Sequence, residues 1–180
     1  MENLRIEYSS ATTLLFTSAS GTIFASSVIG WYVFFPASKY PWEVVMKYVQ
    51  KIIETHPQGI KEPKKEVLIN CIQSLFNCGQ TCVTCSDACL GEREPEKFRA
   101  VIRATADCAD ICLTTGKVLS RLNDPDFTTI KSQVNACIDS LKRCGTLCNE
   151  HRMHHEHCGV CADLCRECEN YCSEYLKMLS

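Results

Sequence analysis

Fifteen cysteines lie between Cys71 and Cys172, and nearly all of them are separated by three, four or seven residues. These spacings bring side chains to one face of an α-helix. The five cysteines from Cys158 to Cys172 alternate steps of three and four, so they fall within roughly 80° of one helix face. Thiolates are soft ligands that select Cu(I), Zn(II) or iron–sulfur clusters. The pattern therefore predicts metal chemistry inside a helical core.

All fifteen cysteines are candidate metal ligands. One or two buried cysteines would behave as small hydrophobic residues, but whole stripes of them are poor substitutes for leucine in a core. A disulfide scaffold is not favoured, because facing helices lie about 8–10 Å apart whereas a disulfide needs Cα atoms within about 7 Å. The candidates are Cys71, Cys78, Cys82, Cys85, Cys89, Cys108, Cys112, Cys137, Cys144, Cys148, Cys158, Cys161, Cys165, Cys168 and Cys172.

Local sequence signals divide the cysteine-rich part of the chain into four helices. Gly91 occupies the usual position after a helix end, Pro95 suits a helix N-terminus, and 123–125 is a turn signal. The expected helices run from 63 or 64 to 90, from 95 to about 122, from about 126 to 149, and from the histidine-rich corner at 151–157 to about 179. Because short connections make consecutive helices antiparallel, we predict an all-α, up-down-up-down four-helix bundle with a cysteine-lined core at 63–180.

Apolar residues continue the cysteine stripes toward the ends of the bundle. Val101 and Leu141 stand at cysteine spacing in the second and third helices, and Leu119, Ile130 and Leu179 fall in line nearer the helix ends. The opposite faces carry charged side chains, which places the stripes inward. We expect a thiol-lined interior with apolar plugs.

Residues 1–62 form an N-terminal extension of different composition, since they contain no cysteine. Residues 9–38 carry no charged side chain, and the hydrophobic segment 11–35 is long enough to cross a bilayer. If it spans a membrane, the lysines that follow it place the bundle in the cytoplasm. The alternatives are an extra helix packed on the protein or a wrong start site. The net charge of −2 offers no basic field for nucleic acid.

Of the soft-metal chemistries, Cu(I) fits the helical pattern best. Structural zinc sites usually gather their ligands at a knuckle or turn, whereas the C-x-x-C pairs here lie inside continuing helices. The spacing C-x3-C-x2-C at 78–85 and 161–168 matches cluster-binding radical enzymes, but nothing in the helical part supplies their barrel or nucleotide site. A tube of thiols can hold many Cu(I) ions with no open position for a substrate, which predicts storage or detoxification and no enzyme activity. A zinc or cadmium buffer of metallothionein character and a thiol or iron–sulfur redox protein stay open as alternatives.

A histidine-rich corner leads into the fourth helix beside Cys158. Imidazole and thioether groups also bind copper, so Met153, His154, His155 and His157 are candidates for a metal entrance at one end of the tube. A solvated polar loop with a helix-capping role is the alternative interpretation.

The segment from about 70 to 180 resembles the bacterial cysteine-rich four-helix-bundle copper storage proteins. The resemblance rests on D-C-A-D-I-C at 107–112, on C-G-x-x-C at 144–148 and on the cysteine ladder at 158–172. It implies thiolate ligation of multiple Cu(I) ions per chain, no enzymatic activity and metal entrance at the histidine-bearing end. It also implies a protein of the cytosolic type, since exported members usually carry a twin-arginine leader.

The chain departs from the family pattern in two places. Val101 and Leu141 stand where relatives often have cysteine, which predicts a lower copper capacity or an interrupted row of ions. The first sixty residues lie outside the resemblance. Copper ions are the expected partner. A copper donor or client protein, a membrane tether through 11–35 and a homo-oligomer are left open.

Overall fold

The structure is a computed structural model that describes residues 43–61 and 63–179. Its helices are α1 (Glu43–Glu54), α2 (Lys64–Leu90), α3 (Arg99–Leu119), α4 (Phe127–His151) and α5 (Glu156–Met178), with a short 3-10 helix at Pro95–Phe98. Helix α2 packs against α3 and α5, and α4 packs against the same two helices. The four long helices thus form a closed ring of antiparallel neighbours, which confirms the predicted four-helix bundle.

Helix α1 is a twelve-residue element inside the predicted N-terminal extension. Ile53 is buried and Val49 is partly buried against the apolar core, whereas Tyr48 and Ile52 are exposed. Within the described residues, no helix has both the length and the apolar content needed to cross a membrane. The predicted membrane segment 11–35 lies outside the described residues, and the division of the chain at residue 62 stays a prediction.

The ends of the bundle helices differ in detail from the prediction. Gly91 follows α2 with a right-handed helical backbone at φ −79°, so the left-handed glycine cap that its position suggested is not used. Pro95 opens the 3-10 helix and not α3 itself. Helix α3 ends earlier than expected, where the Ser120 hydroxyl donates a hydrogen bond to the Gly116 carbonyl at 2.8 Å. Asp126 caps α4 by accepting a hydrogen bond from a backbone N–H at 3.0 Å.

Two glycines allow α2 and α3 to approach closely. A Cβ atom on Gly79 of α2 would lie 2.8 Å from Leu113 Cγ of α3, and one on Gly116 of α3 would lie 3.0 Å from Phe76 Cε2 of α2. Real Cβ atoms rarely come this close to a neighbour. The absence of side chains at these two positions therefore brings the cysteine stripes of the two helices together.

The predicted apolar plugs lie in the core. Val101 and Leu141 are each 1% exposed, and Leu119 and Ile130 are also buried. Leu179 is only partly buried. The helical phase read from the cysteines therefore predicted the buried positions between and beyond them.

Candidate metal centre

All fifteen predicted ligands lie in the bundle core. Each cysteine is 0–3% exposed, and all of them are free thiols. Helices α2 and α5 each contribute five cysteines, α4 contributes three and α3 contributes two. The stripes predicted on separate helices thus converge on one axis.

Sulfur atoms from different helices are spaced as the ligands of a common metal ion would be. From Cys82 Sγ the distances are 3.7 Å to Cys161, 3.9 Å to Cys78, and 4.0 Å to Cys144 and Cys165. With a metal–sulfur bond of about 2.3 Å, two ligands of a tetrahedral ion lie about 3.8 Å apart and those of a trigonal ion about 4.0 Å apart. The centre of the core can therefore accept a soft metal ion with little movement of the helices.

The groups of sulfur atoms share members along the core. Groups whose ligand atoms all lie within 4.8 Å of one another include Cys78–Cys82–Cys108–Cys165, Cys82–Cys144–Cys161–Cys165, Cys85–Cys148–Cys161 and Cys78–Cys112–Cys168. Cys82, Cys165, Cys161 and Cys78 each belong to two of these groups. Because a thiolate in two groups can bridge two ions, the groups are parts of one continuous row.

The row continues to the end of the bundle that lies away from the histidines. Cys112 Sγ is 3.8 Å from Cys137 Sγ, and Cys71 Sγ is 3.9 Å from Cys172 Sγ. On α4 the stripe between Cys137 and Cys144 is filled by the buried Leu141. The core therefore has thiols over most of its length, with apolar interruptions at the positions that the sequence predicted.

The histidine end adds a nitrogen atom to the row of thiols. His157 Nδ1 lies 3.5 Å from Cys158 Sγ and 3.6 Å from Cys85 Sγ, and Cys158 Sγ lies 3.9 Å from Cys89 Sγ. These four side chains form one further group of ligand atoms. His157 is half-buried in the first turn of α5, so this group connects the buried thiols with the surface.

The sequence analysis missed a carboxylate that holds this histidine. Glu92 Oε1 lies 3.0 Å from His157 Nε2 and 2.7 Å from His155 Nδ1. Metal-binding histidines commonly donate their second ring N–H to a carboxylate, which fixes the tautomer. With Nε2–H donating to Glu92, Nδ1 of His157 presents its lone pair toward the thiols. The two histidines, His157 foremost, lower the pKa of Glu92 by hydrogen bonding to its carboxylate.

The structure separates the predicted entrance residues into two pairs. His155 and His157 both contact the Glu92 carboxylate. The His155 ring also packs edge-to-face on the buried ring of Phe98, with 4.8 Å between the ring centroids. Met153, which is 82% exposed, and His154 lie in the turn between α4 and α5. The geometry brings His157 to the thiols and links His155 to it through Glu92. A role of these four residues in metal entrance stays a prediction.

Burial favours the protonated thiols at this end of the bundle. Burial raises the pKa of Cys158 to about 12, with a further contribution from Cys89, and it raises the pKa of Cys89 as well. In the middle of the core, a hydrogen bond with Cys108 is the largest of the effects that raise the pKa of Cys82. A bound metal ion requires thiolates, so metal binding must displace protons from these groups.

The comparison with known proteins agrees with this geometry. A family model described as copper storage protein matches residues 64–177, which is more than half of the chain. The chain belongs to this family. The resemblance noted in the sequence is thereby confirmed, and the match covers all four bundle helices except the last residue of α5.

Solved structures of the family share the fold. The copper storage protein Ccsp from Streptomyces lividans, loaded with 10 copper equivalents, is 37% identical and aligns with a TM-score of 0.69 over 72% of this chain and 98% of that chain. A structure of a cytosolic copper storage protein from the same organism, with five coppers, is 39% identical and aligns with a TM-score of 0.63 over 63% and 95% of the two chains. The cysteine-rich protein YhjQ of Bacillus subtilis (strain 168), which is uncharacterised, is 32% identical over 102 residues, or 57% of this chain and 89% of that protein.

Proposed function

We propose that this protein stores copper as Cu(I), with many ions per chain bound by the thiolates of its fifteen core cysteines. The observation that carries the proposal is the continuous row of buried sulfur atoms, with distances of 3.7–4.0 Å and groups that share members. Membership of the copper storage protein family supports the choice of metal.

Cu(I) suits this row better than the other soft-metal chemistries do. The groups in the middle of the core consist of sulfur alone, and thiolates that bridge neighbouring ions can hold Cu(I) in a row. Isolated zinc sites do not require shared ligands, whereas a row of bridged ions does. The solved relatives carry copper, so a zinc or cadmium buffer and an iron–sulfur protein are not favoured. A row closed by sulfur leaves no position for a substrate, and the proposed role is therefore binding and not catalysis.

Copper enters, in this proposal, at the group of Cys85, Cys89, Cys158 and His157. An incoming ion meets imidazole nitrogen and thiol sulfur together there, and the Glu92 carboxylate accepts a hydrogen bond from Nε2–H on the far side of the ring. The ion then passes to the all-sulfur groups that begin with Cys85. Each step exchanges one thiolate for another, which avoids a bare ion in an apolar core.

We also propose a cytoplasmic location. A similar protein is described as cytosolic, and buried free thiols persist in a reducing compartment. A donor that hands copper to the histidine end would fit this scheme. A client protein, a membrane tether through 11–35 and a homo-oligomer stay predictions.

The proposal is tested by anaerobic Cu(I) titration of the fully reduced protein against a competing chelator, with parallel titrations of Zn(II) and Cd(II). We expect binding of many copper ions per chain, and protection of all fifteen cysteines from a thiol-alkylating reagent at saturation. Tight binding of only a few zinc ions, or a coloured iron cluster in the protein as purified, would overturn it.

A further inference from the structure

Ser74 occupies a place in the row that is otherwise filled by thiols. It follows Cys71 by three residues and precedes Cys78 by four, which is the step pattern of the cysteine ladder itself. The residue is 8% exposed and lies on the core face of α2. A hydroxyl group therefore faces the region in which α2 would otherwise present one more sulfur atom.

The Ser74 hydroxyl has no hydrogen-bond partner. Among residues 47–61 and 63–179, whose side chains the structure describes, no other buried side-chain oxygen or nitrogen atom lacks one. The other two buried polar side chains are satisfied. Thr105 Oγ1 donates to the Val101 carbonyl at 2.9 Å, and Thr115 Oγ1 donates to the Ile111 carbonyl at 2.7 Å. An unpaired buried hydroxyl destabilises a fold, so a partner is expected in the state in which the core functions.

Cys71 Sγ lies 3.9 Å from Cys172 Sγ, and Cys78 Sγ lies 3.9 Å from Cys165 Sγ. This antiparallel register of α2 against α5 places Cys168 opposite the turn of α2 that carries Ser74, so its sulfur is the candidate partner. Cys168 belongs with Cys78 and Cys112 to a group of three thiols, whereas the adjoining group that shares Cys78 has four. A neutral thiol accepts hydrogen bonds weakly, so the hydroxyl gains a strong acceptor only where the sulfur is a thiolate.

We propose that Ser74 is a positioning residue for the three-thiol group of Cys78, Cys112 and Cys168, and that its hydroxyl donates a hydrogen bond to the Cys168 thiolate when that group holds a metal ion. This inference rests on the proposed function. Three thiolates around one monovalent ion carry a net charge of about −2, and a hydrogen bond to an anion is stronger than one to a neutral group. The same hydroxyl thus opposes stability in the metal-free bundle and favours the loaded one.

Two substitutions separate this role from a purely structural one. Ser74→Ala removes the hydroxyl, and Thr105→Val is the matched control because its hydroxyl is already bonded to a backbone carbonyl. We expect Ser74→Ala to leave the unfolding temperature of the metal-free protein unchanged or higher. We also expect it to weaken the binding of about one copper ion roughly ten- to hundredfold in chelator competition, as loss of a hydrogen bond to a charged group would. Ser74→Thr, which keeps the hydroxyl, should bind copper as the parent does.

A third variant tests the direction of the side chain without measuring affinity. In Ser74→Cys the new thiol should become resistant to alkylation on copper loading, together with the native cysteines. A new thiol that stays reactive, or a Ser74→Ala protein with parental copper binding, overturns the role of Ser74 while leaving the storage function intact. Failure of the parent itself to bind many copper ions overturns the storage function instead.

Discussion

Two buried apolar residues interrupt the thiol stripes, and replacing them with cysteine tests the helical phase on which the site depends. Val101 and Leu141 are each 1% exposed and stand in line with the cysteines of α3 and α4. In the double variant Val101→Cys/Leu141→Cys, both new sulfur atoms should enter the row. We therefore expect the protein to bind more copper than the parent.

The size of the gain follows from the sharing of ligands. If each ion takes three thiolates and each thiolate bridges two ions, fifteen thiolates hold about ten ions and seventeen hold about eleven. If each ion takes only two bridging thiolates, the numbers are about fifteen and about seventeen. The variant should thus gain about one to two ions. Replacing Leu141 by the smaller cysteine leaves space in the core and should cost the metal-free bundle about 1–2 kcal/mol.

The assay is anaerobic Cu(I) titration with a chelator that reports free copper, read as ions per folded chain. The matched control is Val83→Cys/Val160→Cys, which adds two thiols at exposed positions on α2 and α5. The control should gain little tightly held copper. If the buried pair gains no more than the exposed pair, the side chains at 101 and 141 do not join the row, and the reasoning from helical phase is refuted.

Three further predictions concern the entrance, the thiols and the helix packing. Glu92→Gln should slow copper uptake in stopped-flow measurements and leave the copper capacity unchanged. The control Glu94→Gln removes a charge from an exposed ion pair with Lys97 and should change neither quantity. A lower capacity in Glu92→Gln would make Glu92 a storage ligand. Because burial raises the pKa of Cys158 from 9.0 to about 12, the native metal-free protein retains this proton over that window, so its stability should be full below pH 9 and fall as the pH rises toward 12. Denaturation of the loaded protein, in which the thiols have already lost their protons, should lack this dependence. Gly79→Ala should destabilise the bundle by about 1–3 kcal/mol in chemical denaturation, because its Cβ would lie 2.8 Å from Leu113 Cγ. Gly91→Ala should not change the stability in the same assay, because Gly91 has a helical backbone and a Cβ there makes ordinary contacts.

The sequence predicted the fold and the buried face because the cysteines mark one phase of each helix. The period of 3.6 residues converts their spacing into a stripe, and the same phase correctly placed Val101, Leu141, Leu119 and Ile130 in the core. Short connections between long helices leave few topologies other than the antiparallel ring. The predicted bounds of α2 were confirmed, whereas α3 begins after the 3-10 helix that Pro95 opens and ends at Leu119, a few residues before the predicted end.

Contacts between side chains distant in the chain could not be predicted in this way. Glu92 meets His157 across 65 residues of sequence, and their contact depends on the axial register of α2 against α5, which periodicity does not specify. The signal that could have found it is positional, because Glu92 follows the end of α2 and His157 begins α5, and antiparallel packing brings those ends together. Ser74 is harder to recognise, since a serine in a helix usually faces solvent or bonds to its own backbone.

The two ends of the bundle differ in chemistry, and this difference supports one route for copper in both directions. The histidine end offers carboxylate, imidazole and thiol groups in succession. At the opposite end the stripes finish at Leu119, Ile130 and Tyr175, beside a cavity of about 250 Å³ that is lined mainly by apolar side chains. Burial raises the pKa of Tyr175 to about 12, so its phenol stays neutral there.

An ion leaving through the apolar end would lose its ligands before it reached water, which is costly for a charge. Release should therefore retrace the path of loading through Cys89, Cys158 and His157. At unchanged affinity, a substitution that slows loading must slow removal by the same factor, because the ratio of the two rates is the equilibrium constant. His157→Ala should accordingly slow both copper uptake and chelator-driven removal. If both rates stay at their parental values in this variant, copper enters and leaves by a second route.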